Sequence, residues 1–189
     1  MPARPPDVGA RWPDREPLGD TGAVLVRPGP ADVDDALALS RDPALWVDVP
    51  VAWRTTTREQ QAEDVEAWQA HWGEHGFGYW MVRDPDALLG FGGVRWLWWR
   101  DAWALNVYVR FAAAAQGRGL ATAMLGLAVD RLDGALAVPT TVVVRTRPAN
   151  AAMARLAHRL GFDDAGTEER EMGTYRLLTR RIGASTGGS

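Results

Sequence analysis

Hydrophobic positions recur along this chain with two periods, and the two alternate. Leu105, Val107, Val109 and Phe111 interleave with Asn106, Tyr108 and Arg110. One face is oily and the other polar, the pattern of a strand bordering a wet cleft. Ala23-Val24-Leu25-Val26-Arg27-Pro28 predicts an earlier strand ended by proline, and Phe77–Arg83, Leu88–Trp98 and Ala102–Phe111 predict three more in succession. Asp84-Pro85-Asp86 and Arg100-Asp101 supply the turns between them. Thr140–Thr146 is a nearly continuous apolar run, which predicts a strand buried on both faces. Two last strands are expected near 163–170 and 174–181.

The helical period takes over between these runs. Residues 31–40 predict a short helix. Thr57 and Gln60 form a capping box before a longer one, with Val65, Trp68 and Trp72 on one face and Gly73, Gly76 and Gly78 closing it. A third helix follows Gln116-Gly117-Arg118-Gly119-Leu120-Ala121 and runs to about Leu132. A fourth starts at Pro148-Ala149-Asn150, carries Met153, Leu156, Ala157 and Leu160 on one stripe, and ends at Gly161. The order β-α-α-β-β-β-α-β-α-β-β predicts an α/β (α+β) protein with a mixed sheet and helices on its faces.

Residues 1–20, rich in Pro, Arg and Asp, read as a flexible arm, and 183–189 as a disordered Gly/Ser tail. Between them, 21–182 is read as one domain, a size that suits the chain's 189 residues. The net charge of −3 gives no electrostatic case for nucleic acid. No apolar run approaches a membrane span and the N-terminus has no signal-like stretch, so a cytoplasmic protein is expected.

Two absences narrow the chemistry. The chain has no cysteine, which removes disulfides, thiolate metal sites and an acyl-cysteine intermediate. All 21 Lys+Arg residues are arginine, which removes a Schiff-base or P-loop lysine. His71 and His75 stand one helical turn apart, but no carboxylate–histidine constellation accompanies them, and no metal is expected.

The segment 105–132 concentrates the remaining signal. Gly117 and Gly119 before a helix permit close backbone approach to a ligand, and the first-turn amides with the helix dipole suit a pyrophosphate. Gln116, Arg118 and Thr122 add side-chain donors. The two glycines alone would equally suit a tight strand-to-helix turn. A Walker loop is excluded by the missing lysine. A dinucleotide fingerprint fits poorly because Thr122 stands at its last glycine.

Residues 105–162 resemble the core of the GNAT superfamily of N-acetyltransferases. Gln116-Gly117-Arg118-Gly119-Leu120-Ala121 is similar to the superfamily's Arg/Gln-x-x-Gly-x-Gly/Ala signature, and Asn150 with Leu160-Gly161-Phe162 resembles its second coenzyme-contacting helix. Within the superfamily the chain looks nearest the branch that acetylates ribosomal-protein N-termini. The resemblance implies a mostly antiparallel sheet of about seven strands. It implies acetyl-CoA as co-substrate, held by Val109, Arg110, Phe111, Gln116, Gly117, Arg118, Gly119, Leu120, Ala121, Thr122 and Asn150. It also implies that the segment holding Trp46 and Trp53 walls the acceptor site.

Amide formation from a thioester needs a deprotonated amine, a polarised carbonyl and a protonated leaving group. By the resemblance, backbone amides near Val109–Phe111 polarise the carbonyl. The position where many relatives carry a glutamate base is Asn106, and the position of their tyrosine acid is Ala157. A serine position beside the cofactor is Met153. Tyr108, on the same strand face as Asn106, is a substitute candidate. The expected activity is acetyl transfer to a small-molecule or peptide amine by direct transfer in a ternary complex, from a monomer or homodimer. A non-catalytic acyl-CoA-binding or sensing module is the alternative.

Overall fold

The computed structural model describes residues 4–9, 11–46 and 57–184. The strands are β1 (Arg15–Pro17), β2 (Val24–Val26), β3 (Tyr79–Arg83), β4 (Leu88–Trp99), β5 (Ala102–Phe111), β6 (Thr140–Thr146), β7 (Asp163–Arg170) and β8 (Gly173–Ile182). The helices are α1 (Val33–Ser40), α2 (Arg58–His75), α3 (Leu120–Ala135) and α4 (Ala151–Arg159). The strands form one sheet in the order β1-β2-β3-β4-β5-β6-β8-β7. The β1–β2, β2–β3, β3–β4, β6–β8 and β7–β8 pairs are antiparallel, and β5 runs parallel to β6. This is an α+β fold with a mixed sheet, as the element order implied, and a mostly antiparallel one, as the family resemblance implied. The sheet has eight strands where about seven were expected.

The eighth strand lies in the segment read as a flexible arm. β1 pairs with β2, and Trp12 and Leu18 beside it are buried. The Trp12 amide donates to the Gly76 carbonyl at 2.8 Å, and its indole stacks on Trp80 at 4.5 Å. Charge and proline content suggested disorder there, but two large apolar side chains anchor the segment. Part of the expected tail, 185–189, lies outside the described residues.

The chain divides into two compact units. One comprises Arg11–Gly93 and Tyr108–Met124. Its core gathers Val33, Ala36 and Leu39 of α1, Val65 and Trp68 of α2, and Tyr79, Met81 and Phe91 of the sheet. The Thr57 hydroxyl accepts the Gln60 amide and the Gln60 side chain accepts the Thr57 amide, so the capping box forms as predicted. Helix α2 runs past Gly73 to His75, and Gly76 caps it with φ +76°. Gly90 and Gly92 let β4 approach β5 closely. A Cβ on Gly92 would lie 2.3 Å from the Tyr108 carbonyl oxygen.

The other unit comprises Val94–Val107 and the chain from Leu125 onward, together with the first residues. Ala104, Val143 and Leu177 form a core cluster, with Leu97, Trp99 and Ala165 against it. The expectation that 140–146 is buried on both faces holds for Val142, Val143 and Val144 but not for Thr141 and Arg145, which are half-buried. Alternation therefore gives β6 one face with polar members. Asn150 caps α4, and Gly161 follows it with φ +74°.

Candidate active site

Strand β5 leads into a 3₁₀ turn at Ala113–Ala115 and then into the glycine loop. Gly117 and Gly119 have φ +77° and +78°, a region that L residues occupy at a cost, and a Cβ at either would meet nothing within 4 Å. The glycines are therefore required by backbone conformation and open space, not by protein packed against them. Helix α3 begins at Leu120, and the Ala123 amide donates to the Gly119 carbonyl at 2.9 Å. The amides of the first turn have no carbonyl one turn back and point along the helix axis, where the dipole favours an anion. Arg118 is exposed and Thr122 half-buried beside them, while Leu120 is buried and Ala121 half-buried. Gln116 does something else: its Nε2 donates to the Phe111 carbonyl at 3.2 Å and so braces the loop against the strand end.

The register between β5 and β6 covers Ala104–Asn106 against Thr141–Val143. Strand β5 continues to Phe111, with Val109 and Arg110 half-buried and Phe111 buried. Asn106 sits at the end of that register. Its Oδ1 accepts from Arg145 Nη2 at 3.0 Å, a contact the sequence reading missed. An amide oxygen committed to a guanidinium is a poor proton acceptor.

Tyr108 lies among aromatics, 5.6 Å from Tyr79 and 6.0 Å from Phe91 between ring centroids. Burial pushes its phenol above the ordinary value, the Arg110 guanidinium pulls it down, and Asp64 pushes it up again. The net direction is upward, so the phenol is neutral near pH 7. Because the folded pKa is raised, this group's contribution to stability is full below the unfolded value near 10.0 and is lost as pH rises through the folded pKa. Tyr108→Phe should delete a late-titrating phenol from an ultraviolet titration. Loss of a phenol with an ordinary midpoint would contradict this assignment.

Trp46 is buried, with its indole N–H donated to the Ser40 carbonyl. The Arg110 guanidinium carbon lies 3.8 Å from its ring centroid, so one indole face is covered. Trp53, the other expected wall residue, lies outside the described residues. Asn150 is exposed, and its Oδ1 accepts the Met153 amide at 3.0 Å. This is an N-cap that leaves the side-chain NH₂ for another partner.

The histidines carry structural bonds: His71 Nδ1 donates to the Phe77 carbonyl at 2.8 Å and His158 Nδ1 to the Phe162 carbonyl at 3.0 Å. Among the described residues there is no group of three or more His, Cys, Asp or Glu that could hold a metal. No helix among them is long and apolar enough to cross a membrane.

Comparison with known proteins places this geometry. The profile of the acetyltransferase (GNAT) domain family matches residues 23–163. No curated protein matches the chain. Among solved structures, a putative GNAT-family acetyltransferase from Bordetella pertussis is 23% identical, with TM-score 0.67, covering 84% of this chain and 94% of that one. The microcin C7 self-immunity acetyltransferase MccE, solved with acetyl-CoA and AMP, is 11% identical, with TM-score 0.70 and coverages of 90% and 98%. The ribosomal L7/L12 α-N-protein acetyltransferase RimL, solved with coenzyme A, is 14% identical, with TM-score 0.68 and coverages of 88% and 97%.

Proposed function

The chain belongs to the GNAT acetyltransferase family, acetyl-CoA-dependent enzymes, and from that premise we propose that it acetylates a primary amine by direct transfer in a ternary complex. The observation that carries the cofactor assignment is the pair of left-handed glycines with open space above them at the start of α3. That cradle fits a pyrophosphate, which approaches where any Cβ would stand. The amides of Gly117–Thr122 and the Arg118 and Thr122 side chains would hold it, Gln116 would keep the loop in shape, and the free NH₂ of Asn150 would take the coenzyme arm.

Bound acetyl-CoA supplies the acetyl group already activated as a thioester. This chain's own residues do the rest. Those amides of Val109–Phe111 that face away from β4, beyond the last register pair with β6 at Asn106, are suited to donate hydrogen bonds to the developing oxyanion. Tyr108, held neutral by burial, is suited to give a proton to the leaving sulfur. Asn106, held by Arg145, is suited to position a water that takes the proton the attacking amine gives up, without itself taking it. With no cysteine to carry the acetyl group, transfer passes directly between the two bound partners.

The amine could be a small molecule or a peptide N-terminus; the RimL likeness at 14% identity carries the fold alone. A panel of peptide α-amines, small amines and lysine analogues, incubated with acetyl-CoA and read by mass spectrometry, tests the reading. Acetylated product in proportion to enzyme supports it. Acetyl-CoA binding without transfer to any amine would leave a binding module with this fold.

A further inference from the structure

We propose that Arg147 binds a carboxylate carried by the acceptor. The assignment to an acceptor rests on the function proposed above, because Arg147 shares a turn with Asn150, placed there on the coenzyme arm. The Asn150 amide donates to the Arg147 carbonyl at 2.9 Å.

The arginine is held on three sides by the start of β8. Its guanidinium carbon lies 4.5 Å from the Tyr175 ring centroid, and Nη1 reaches the Thr174 carbonyl at 3.5 Å. Gly173, at φ +101°, makes room for it: a Cβ there would stand 3.2 Å from Nη1. The opposite edge is different. Nε and Nη2 are shielded from solvent and have no hydrogen-bond acceptor among the described residues. These two donors lie side by side in one plane, the edge that takes a carboxylate through two parallel hydrogen bonds. A desolvated cation with unused donors is costly in an isolated fold. Stacking on Tyr175 fixes its plane in advance, so the cost of ordering the fork on binding is small.

The carboxylates nearest in the strand pairing do not fill that edge. Glu169 accepts the Thr174 hydroxyl at 2.6 Å. Glu168, across the strands from Tyr175, accepts the Trp99 indole N–H at 3.2 Å through Oε1. Its Oε2 is itself buried without a hydrogen-bond partner, which makes Glu168 the internal competitor to be tested.

The test is calorimetric titration of the full chain with succinate, succinamide and inorganic phosphate, with melting temperature followed in parallel. Acetyl-CoA is titrated into the same samples. Wild type should bind succinate about tenfold or more tighter than succinamide or phosphate and melt higher in its presence. Arg147→Lys should lose most of that preference, since charge remains and the planar fork is gone. Arg147→Met should lose it all while melting no lower than wild type, because an unpaired charge is replaced by an apolar side chain of similar length. Glu168→Gln should leave the preference in place.

Equal affinity for succinate and succinamide in wild type overturns the proposal, as does a succinate site that appears only in Glu168→Gln, which would make Glu168 the occupant. Phosphate binding as tightly as succinate overturns the carboxylate assignment. A lower melting temperature in Arg147→Met with unchanged succinate binding makes the arginine purely structural. Succinate binding without acetyl-CoA binding would sink the transferase reading and the acceptor assignment while leaving the anion contact, so the two failures are told apart.

Discussion

Gly119→Glu should reduce acetyl-CoA affinity about a hundredfold or more, close to 3 kcal/mol, while the protein remains folded. Two costs act at once. Gly119 has φ +78°, where a residue with a Cβ pays roughly 1–2 kcal/mol of backbone strain. The new carboxylate also stands in the space above the loop and repels the pyrophosphate that the helix dipole and first-turn amides attract. No protein atom lies within 4 Å of that Cβ, so the side chain has room in the absence of ligand. Gly119→Asn separates the effects, because asparagine tolerates the left-handed region and carries no charge. It should retain affinity within about tenfold of wild type. Calorimetry on the three proteins decides. If Gly119→Glu binds acetyl-CoA like wild type, the pyrophosphate does not sit on this loop. If both variants lose binding equally, close approach outweighs charge.

The sequence carried the element order and the loop because both depend on local rules. The Thr57/Gln60 box, the alternation along β5 and the left-handed glycines before α3 and after α4 are set by neighbours in the chain. What stayed hidden depends on partners far away in sequence. Composition placed residues 1–20 in an arm, and nothing local reveals that Trp12 stacks on a ring 68 positions later. The site divides the same way. The glycines were legible, but the arginine that occupies the Asn106 amide comes from 39 positions on. A signal for it existed, since strict alternation along 141–147 puts Arg145 and Arg147 on the same face as Val143. The apolar run Val142–Val144 masked that period. Trp46 is hidden in the same way: its N–H is donated to the Ser40 carbonyl, and one ring face is covered by Arg110, 64 positions later.

Trp72 and Trp80 lie in one aromatic group, and their truncations should differ in a way that burial alone does not predict. Both are almost wholly buried, and Trp12 packs against each, at 6.1 Å from Trp72 and 4.5 Å from Trp80. Either residue changed to alanine should cost about 3–5 kcal/mol, from lost transfer energy and the cavity left behind. Phenylalanine separates them. The Trp72 indole donates to the Tyr79 carbonyl at 2.7 Å, so Trp72→Phe loses packing volume and also a buried hydrogen bond. The Trp80 indole nitrogen is buried without a hydrogen-bond partner, so Trp80→Phe loses volume but relieves an unsatisfied donor. A lost hydrogen bond typically costs about 0.5–1.5 kcal/mol, and relieving a buried unsatisfied donor returns part of a cost of about 1–3 kcal/mol. Trp72→Phe should therefore be the more destabilising by about 1–3 kcal/mol in urea unfolding, with similar slopes. The reverse order would mean that the Trp80 nitrogen is paired in solution. It would also mean that the larger stabilisation comes from the stack on Trp12, placing the N-terminal strand at the centre of this unit's stability.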